Sequence, residues 1–111
     1  MRKTYRKLQT LKNLWHEYNT LVFGGVLEYV PIMLTRAKKY YGYYGVTDSS
    51  QKASMYISGH WNKPIEELRA TLLHEMVHQS LHQSGEPDWH GHGDPFLREQ
   101  RRIKELTGLE I

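Results

Sequence analysis

The string His74-Glu75-Met76-Val77-His78 carries the residue types of a hydrolytic metal site. In an α-helix, positions four apart lie on one face, about one turn from each other. His74 and His78 can therefore direct two imidazole nitrogens at one metal ion, with Glu75 beside it. A carboxylate placed there can take a proton from a metal-bound water. The pattern thus indicates zinc-assisted hydrolysis of an amide bond.

This chemistry requires the motif to lie on a well-packed helix. Apolar residues recur at intervals of three and four, which marks one buried helix face; they are Leu68, Leu72, Leu73, Met76, Val77 and Leu81. Pro64 stands near the start, and Glu66 and Glu67 fall in the first turn, as is typical of a helix N-terminus. We predict a helix from Pro64 to about Gln83, packed against the core.

The third metal ligand must come from elsewhere, because a catalytic zinc usually has three protein ligands and one open position. His82 lies one turn further along the same helix and would reach the metal only if the helix bent. His90 and His92 follow a loop that can fold the chain back. A glutamate of the last helix, Glu99 or Glu105, is another option. The residues alone leave these alternatives open.

Two strings, Thr71–His78 and Gly91-His92-Gly93-Asp94-Pro95-Phe96, together resemble the SprT/Spartan metalloprotease family. That family has H-E-x-x-H, a short loop and then H-G-x-x-F. The segment 14–27, Gly42 and the segment 106–108 are also similar to it, so the resemblance covers nearly the whole chain.

The resemblance implies a zincin-like α+β fold and a zinc endopeptidase. It makes His92 the third ligand of one Zn²⁺ with His74 and His78, and Glu75 the general base; His90 becomes a neighbour. It also implies action on DNA-bound or DNA-crosslinked proteins, and hence a role in DNA–protein crosslink repair. Because the chain has no cysteine, we expect a single protease domain over residues 1–111 without a zinc ribbon.

The remaining pattern predicts an α+β order with a three- to four-stranded sheet. The first helix extends from Lys3 to about Leu21, with an apolar stripe that includes Leu21, and Gly24-Gly25 ends it. The predicted extended segments are Leu27–Tyr29, Pro31–Ala37, Tyr40–Val46 and Ala53–Ser58, with a turn at 48–51. A last helix starts near Asp94, which caps it ahead of Pro95, and ends by Gly108.

Composition agrees with one small domain. The chain has 111 residues, of which 39% are hydrophobic, enough for one core. It has neither an apolar run of bilayer length nor an apolar signal segment, and the lack of cysteine excludes disulfides. We expect a soluble cytoplasmic protein, without membrane contact and monomeric.

The formal net charge of +3 is unevenly distributed. Basic groups occur at the N-terminus, before the tyrosine-rich segment 40–44 and on the last helix: Arg2, Lys3, Arg6 and Lys7; Lys38 and Lys39; Arg98, Arg101 and Arg102. Basic residues beside aromatics suit single-stranded DNA, because the charges follow phosphates and the rings stack on bases. Ordinary solvated helix faces and strand aromatics are the alternative explanation.

Two further features concern the reaction. Tyr43, Tyr44 and His60 lie near strand ends and are candidate donors to the developing oxyanion. The strand Ala53–Ser58, if it is the sheet edge near the metal, could hold an extended peptide by strand addition.

Three functions stay open: a DNA-associated zinc endopeptidase, a zinc peptidase without a DNA role, such as a host-defence or mobile-element protein, and a non-catalytic zinc-stabilised nucleic-acid-binding module. The intact Glu75 argues against the third, because a structural site has no use for a base between two ligands.

Overall fold

The computed structural model describes residues 2–47, 52–59 and 63–111, with side chains from Arg6 onward. The turn predicted at 48–51 and the oxyanion candidate His60 lie outside this part of the chain. The elements, in order, are α1 (Arg2–Phe23), β1 (Ile32–Thr35), β2 (Gly42–Val46), β3 (Ala53–Ser58), α2 (Ile65–Gln83) and α3 (Asp94–Thr107). The predicted α+β, zincin-like fold is confirmed.

The three strands form one sheet in the order β1-β3-β2. β3 is parallel to β1, with Ile32 opposite Met55, and antiparallel to β2, with Tyr44 also opposite Met55. The condition that Ala53–Ser58 is the sheet edge, on which peptide binding by this strand depended, is therefore not met. Met55 and Ile57 are fully buried, which suits a central strand. Among the described residues, β1 and β2 are each paired on one side only, so they are the two edges of the sheet.

The motif helix α2 lies at the centre of the fold, and its predicted apolar face is confirmed. It packs against α1, α3, β2 and β3, and Leu68, Leu72, Leu73, Met76 and Val77 are all fully buried. A helix enclosed by four elements has its rotation fixed by packing, so its polar side chains take defined positions.

The apolar stripe of α1 is confirmed except at its end. Leu21 is 66% exposed, whereas Val22 and Phe23 are buried, because the helix continues to Phe23 and Val22 lies one turn beyond the buried Tyr18. Gly24 and Gly25 then end the helix with φ of 67° and 76°, a left-handed backbone conformation that glycine adopts at little cost.

Asn19 anchors the turn that follows. Its side-chain amide donates to the carbonyl of Leu27 at 3.2 Å, and the N–H of Leu27 donates back to its Oδ1 at 3.0 Å. The segment Leu27–Tyr29, predicted to be extended, is not one of the described strands.

Other boundaries move by a few residues. β1 begins after Pro31, which has no N–H for a sheet ladder, and β2 begins at Gly42 rather than Tyr40. Asp94 was expected to cap α3, but Gly93 is the capping residue, without a side-chain cap, and Asp94 lies in the first turn. A negative charge there still suits the helix dipole. Gly108 ends α3 in the left-handed conformation, as predicted.

A buried amide links α2 to the start of the chain. Gln79 is fully buried; its Oε1 accepts from the indole of Trp15 at 2.9 Å, and its Nε2 donates to the carbonyl of Glu28 at 2.6 Å. Both donor and acceptor of Gln79 are thus satisfied inside the core, which fixes α2 against α1 next to His78. Within the described residues, no helix has the length and apolar character needed to cross a membrane.

Candidate metal centre

His74, His78 and His92 bring their ligand nitrogens together, all within 4.8 Å of one another. The Nε2 atoms of His74 and His92 are 3.1 Å apart. Two nitrogens bound to one tetrahedral zinc at about 2.05 Å each lie roughly 3.3 Å apart. This spacing suits three ligands of a single ion, with His92 joining the two motif histidines across the loop between α2 and α3.

The hydrogen bonds of His78 orient its ring for this role. Its Nδ1 lies 2.7 Å from the carbonyl oxygen of Trp89, and a carbonyl can only accept, so Nδ1 carries the proton. The lone pair is then on Nε2, where a metal can use it. A ligand histidine whose other nitrogen donates to a backbone carbonyl is the common arrangement at metal sites.

The ring of Phe96 packs against all three histidines. Its ring centroid lies 4.7 Å from that of His74, 4.9 Å from that of His78 and 4.8 Å from that of His92. Phe96 is 2% exposed and is held near the start of α3. One rigid apolar ring therefore limits the rotation of three imidazoles that come from two parts of the chain.

Asp88 shapes the loop that presents His92. A Cβ built on Gly91 would collide with the Asp88 carboxylate, and one on Gly93 would lie 2.9 Å from its Oδ2. The two glycines on either side of His92 thus let the backbone curve closely around the Asp88 side chain. Sequence reasoning did not identify Asp88; its position three residues before the Gly91-His92-Gly93 segment is a weak signal.

The environment favours neutral imidazoles, the form that binds metals. Burial lowers the pKa of His74 to about 4, assisted by the neighbouring His78 and His92. Burial also lowers the pKa of His78, although the bond to the Trp89 carbonyl opposes this change. At neutral pH both side chains are ready to donate a lone pair without first losing a proton.

The pKa of Glu75 changes in the opposite direction and is raised. The side chain is buried, with 5% exposure, and burial raises its pKa to about 7, while a hydrogen bond from the backbone N–H of Tyr44 opposes the rise. A cation bound nearby would favour the carboxylate. A pKa near 7 suits a group that exchanges protons at neutral pH.

Gly42 allows β2 to approach this carboxylate. A Cβ on Gly42 would lie 2.8 Å from Oε2 of Glu75 and 2.7 Å from Cγ2 of Thr71. These distances are too short for any residue other than glycine unless α2 or β2 shifts.

The other proposed ligands lie elsewhere. Nδ1 of His82 is 2.7 Å from the hydroxyl of Tyr44, and Glu99 forms an ion pair with Arg102 at 2.9 Å. Glu105 lines a separate cavity beside α3. His90 borders the same cleft as the three histidines but is not part of their cluster, in agreement with its expected place as a neighbour.

Tyr43 and Tyr44, the two oxyanion candidates that the structure describes, lie in different surroundings. The Tyr44 hydroxyl is engaged by His82, and Tyr44 is 5% exposed, so its phenol is part of the core. Tyr43 is 54% exposed and borders the cleft of about 230 Å³ that also contains the three histidines. A second cleft of about 250 Å³ opens on the other side of Glu75.

The basic residues form two separate groups. Lys7 Nζ donates to the carbonyl of Lys63 at 2.9 Å, and the Lys63 ammonium lies 3.7 Å from the centroid of the Tyr41 ring. Arg102 instead donates to the carbonyl of Val22 at 2.7 Å, besides its ion pair with Glu99. Residues 7 and 22 are about 22 Å apart along α1.

Of the predicted nucleic-acid contacts, Arg6, Lys38, Lys39, Arg98 and Arg101 are exposed. The side chains of Arg2 and Lys3 lie outside the described set. Arg102 has the internal role given above, joining α3 to the end of α1.

Comparison with known proteins gives a family match over most of the chain. A model of the SprT-like family matches residues 11–111. The DNA-dependent metalloproteases SPRTN of Rattus norvegicus, Mus musculus and Homo sapiens are each 42% identical to the chain over 50 residues. That segment covers 44% of this chain and 10% of each relative.

Gly42→Ala is expected to lower the free energy of unfolding by about 1–3 kcal/mol, because the added methyl group overpacks the contact between β2 and Glu75. Gly45→Ala on the same strand is the matched control. The nearest atoms to its methyl group would all belong to the ring of Tyr43, which is exposed and can turn away. Urea unfolding of both variants measures the difference. Equal destabilisation by the two substitutions would contradict the close packing of Gly42 on Glu75.

Proposed function

The chain belongs to the SprT-like family, and we propose that it is a zinc-dependent endopeptidase. The observation that carries the proposal is the convergence of His74, His78 and His92 within 4.8 Å beside the buried carboxylate of Glu75. The family match over residues 11–111 supports it.

Zinc is the metal that these ligands fit best. Three imidazoles with a nitrogen separation near that of a tetrahedral ion are typical of catalytic zinc sites, and His92 is on the exposed side, where a fourth position can open to solvent. When bound, zinc increases the acidity of water and polarises a peptide carbonyl.

Glu75 performs the proton transfers. Its carboxylate accepts a proton from the attacking water and then returns it to the leaving nitrogen of the cleaved peptide bond. The backbone N–H of Tyr44 keeps the carboxylate in place. Burial of the side chain between the two clefts raises the pKa of Glu75 to about 7.

The edge of β2 is the place for an extended substrate. β3 was expected to hold the peptide, but it is the central strand. β2 has one edge without a described partner, and its Gly42 and Tyr44 border the same cleft as Glu75 and the histidines. A peptide added to this edge would pass the metal with its backbone hydrogen bonds satisfied.

Glu75→Gln is expected to reduce peptide hydrolysis by about 10²- to 10⁴-fold, the usual contribution of a general acid–base group. The amide retains the shape of the side chain but cannot accept the proton. Cleavage of unstructured casein measures the rate, and the zinc content should stay unchanged. Glu67→Gln, on the exposed face of the same helix, is the matched control.

Full activity in Glu75→Gln would contradict the proposed mechanism. Absence of any hydrolysis by the zinc-loaded wild-type protein would instead favour a non-catalytic metal-stabilised module.

A second observation favours contact with single-stranded DNA. On the outer face of the sheet, Tyr43 of β2 pairs with Tyr56 of β3, with ring centroids 6.1 Å apart, and Tyr40 lies 6.3 Å from Tyr43. Rings on an open sheet face are suited to stacking with bases. Residues 29–63 contain five lysine or arginine residues and one acidic residue, so the charge around these rings suits a phosphate backbone.

This surface also meets the N-terminal basic group, since Lys7 contacts the Lys63 carbonyl beside Tyr41. We therefore include DNA as a partner of the peptidase, in line with the relatives' name of DNA-dependent metalloprotease, and we propose DNA-bound proteins as its substrates. A peptidase with no DNA role is the alternative.

Tyr43→Ala is expected to weaken binding of a fluorescent oligothymidine by about tenfold, which corresponds to about 1.4 kcal/mol for one lost stacking contact. Tyr29→Ala is the control, because Tyr29 is also exposed but packs beside Trp15 and His16 of α1. Affinity should fall steeply with salt. No binding of the oligothymidine at low salt, or an equal loss of affinity in both variants, would contradict DNA binding at this surface.

A further inference from the structure

Ile111 lies in the cleft beside the catalytic carboxylate. The cleft of about 250 Å³ is bordered by His74 and Glu75 and otherwise by Tyr41, Gly42, Ala70, Thr71 and Ile111. Ile111 is also packed against the edge of the hydrophobic core. It is therefore a wall of the space that a substrate residue next to the scissile bond would enter.

The backbone after α3 holds Ile111 in this position. Gly108, with φ of 79°, reverses the chain, and the N–H of Leu109 donates to Oγ1 of Thr107 at 3.0 Å. Lys104 pairs with Glu110 at 3.0 Å. The segment Leu109–Ile111 thus returns along α3 towards α2.

Gln100 also holds the end of this segment against α3. Its Nε2 donates to the carbonyl of Ile111 at 2.7 Å. On the other side of this contact lies a second cavity of about 420 Å³, bordered by α3 and the returning segment. Ile111 therefore borders both spaces, and the Gln100 hydrogen bond restrains its backbone there.

We propose that Ile111 determines the substrate preference of the peptidase, by closing a subsite that accepts one apolar side chain next to the scissile bond. This inference rests on the proposed function. Apart from His74 and Glu75, the lining contains no ionisable side chain except the phenol of Tyr41. Away from Glu75, a charged substrate side chain would lose water without gaining a side chain of opposite charge.

Size is the second restriction. A space of about 250 Å³ lies below the usual range for a whole drug-sized ligand and suits a single side chain. Ile111 limits its depth, and a smaller residue at 111 would extend it towards the second cavity. Gln100 acts as a positioning residue, since it contacts Ile111 and not the substrate.

The experiment compares cleavage sites in a degenerate peptide mixture by mass spectrometry. The zinc-loaded wild-type protein should prefer medium-sized apolar residues on one side of the cleaved bond. Ile111→Ala should increase kcat/KM for a peptide with phenylalanine at that position about tenfold relative to one with leucine, since a change of a few methylene groups in a pocket alters selection by this order. Ile111→Glu should shift the preference towards lysine and arginine.

Controls separate specificity from folding. Glu66→Ala, which alters an exposed residue of α2 that borders neither space, should keep the wild-type preference. Gln100→Leu should broaden the preference in the same direction as Ile111→Ala. If Ile111→Ala unfolds, Ile111→Val provides the same test with a smaller expected shift, and thermal unfolding and zinc content identify folded variants.

An unchanged cleavage pattern in folded Ile111 variants that remain active would overturn this inference and leave the peptidase proposal intact. A zinc-loaded wild-type protein that cleaves no peptide would overturn both.

Discussion

The burial of polar side chains along one helix is the constraint on which the rest of the structure depends. Glu75, His78 and Gln79 are all buried on α2, and a buried polar group destabilises the fold unless it has a partner. Each partner comes from a different part of the chain: the Tyr44 N–H from β2, the Trp89 carbonyl from the loop after α2, and Trp15 and the Glu28 carbonyl from α1 and the segment that follows it. The elements around α2 are therefore arranged by hydrogen bonds as well as by apolar packing.

The same burial prepares the chemistry. Removal from water keeps His74 and His78 neutral and raises the pKa of Glu75 to about 7. Neutral imidazoles bind a metal readily, and a carboxyl group near neutrality can both accept and return a proton. Phe96, in contact with all three imidazole rings, and the close approach of Gly42 then limit how far these groups can move. The geometry of the centre is thus a result of core packing, with the reactive atoms on the side that faces solvent.

The sequence was sufficient where the information is local. Periodicity predicted α2, its buried face and the bounds of β3, and the glycines predicted the ends of α1 and α3. Spacing alone left the third histidine open, because the loop of residues 84–93 between α2 and α3 can present several side chains. The resemblance to a family selected His92. The strand order could not be obtained in this way. The residues of β3 alternate in the same manner at an edge or in the centre, and only pairing between distant segments decides the position. Asp88 and Ile111 were missed for the same reason, since each acts through a contact with residues that its own neighbourhood in sequence does not reveal.

The central claim is that His92 completes one metal site with the motif histidines, and elemental analysis tests it most directly. Wild-type protein, His92→Ala and His90→Ala would be purified without added metal and their zinc content measured per chain. A three-histidine site predicts one zinc ion in the wild type and in His90→Ala, and a strong reduction in folded His92→Ala. Unchanged zinc in His92→Ala, or no zinc in the wild type, would contradict it.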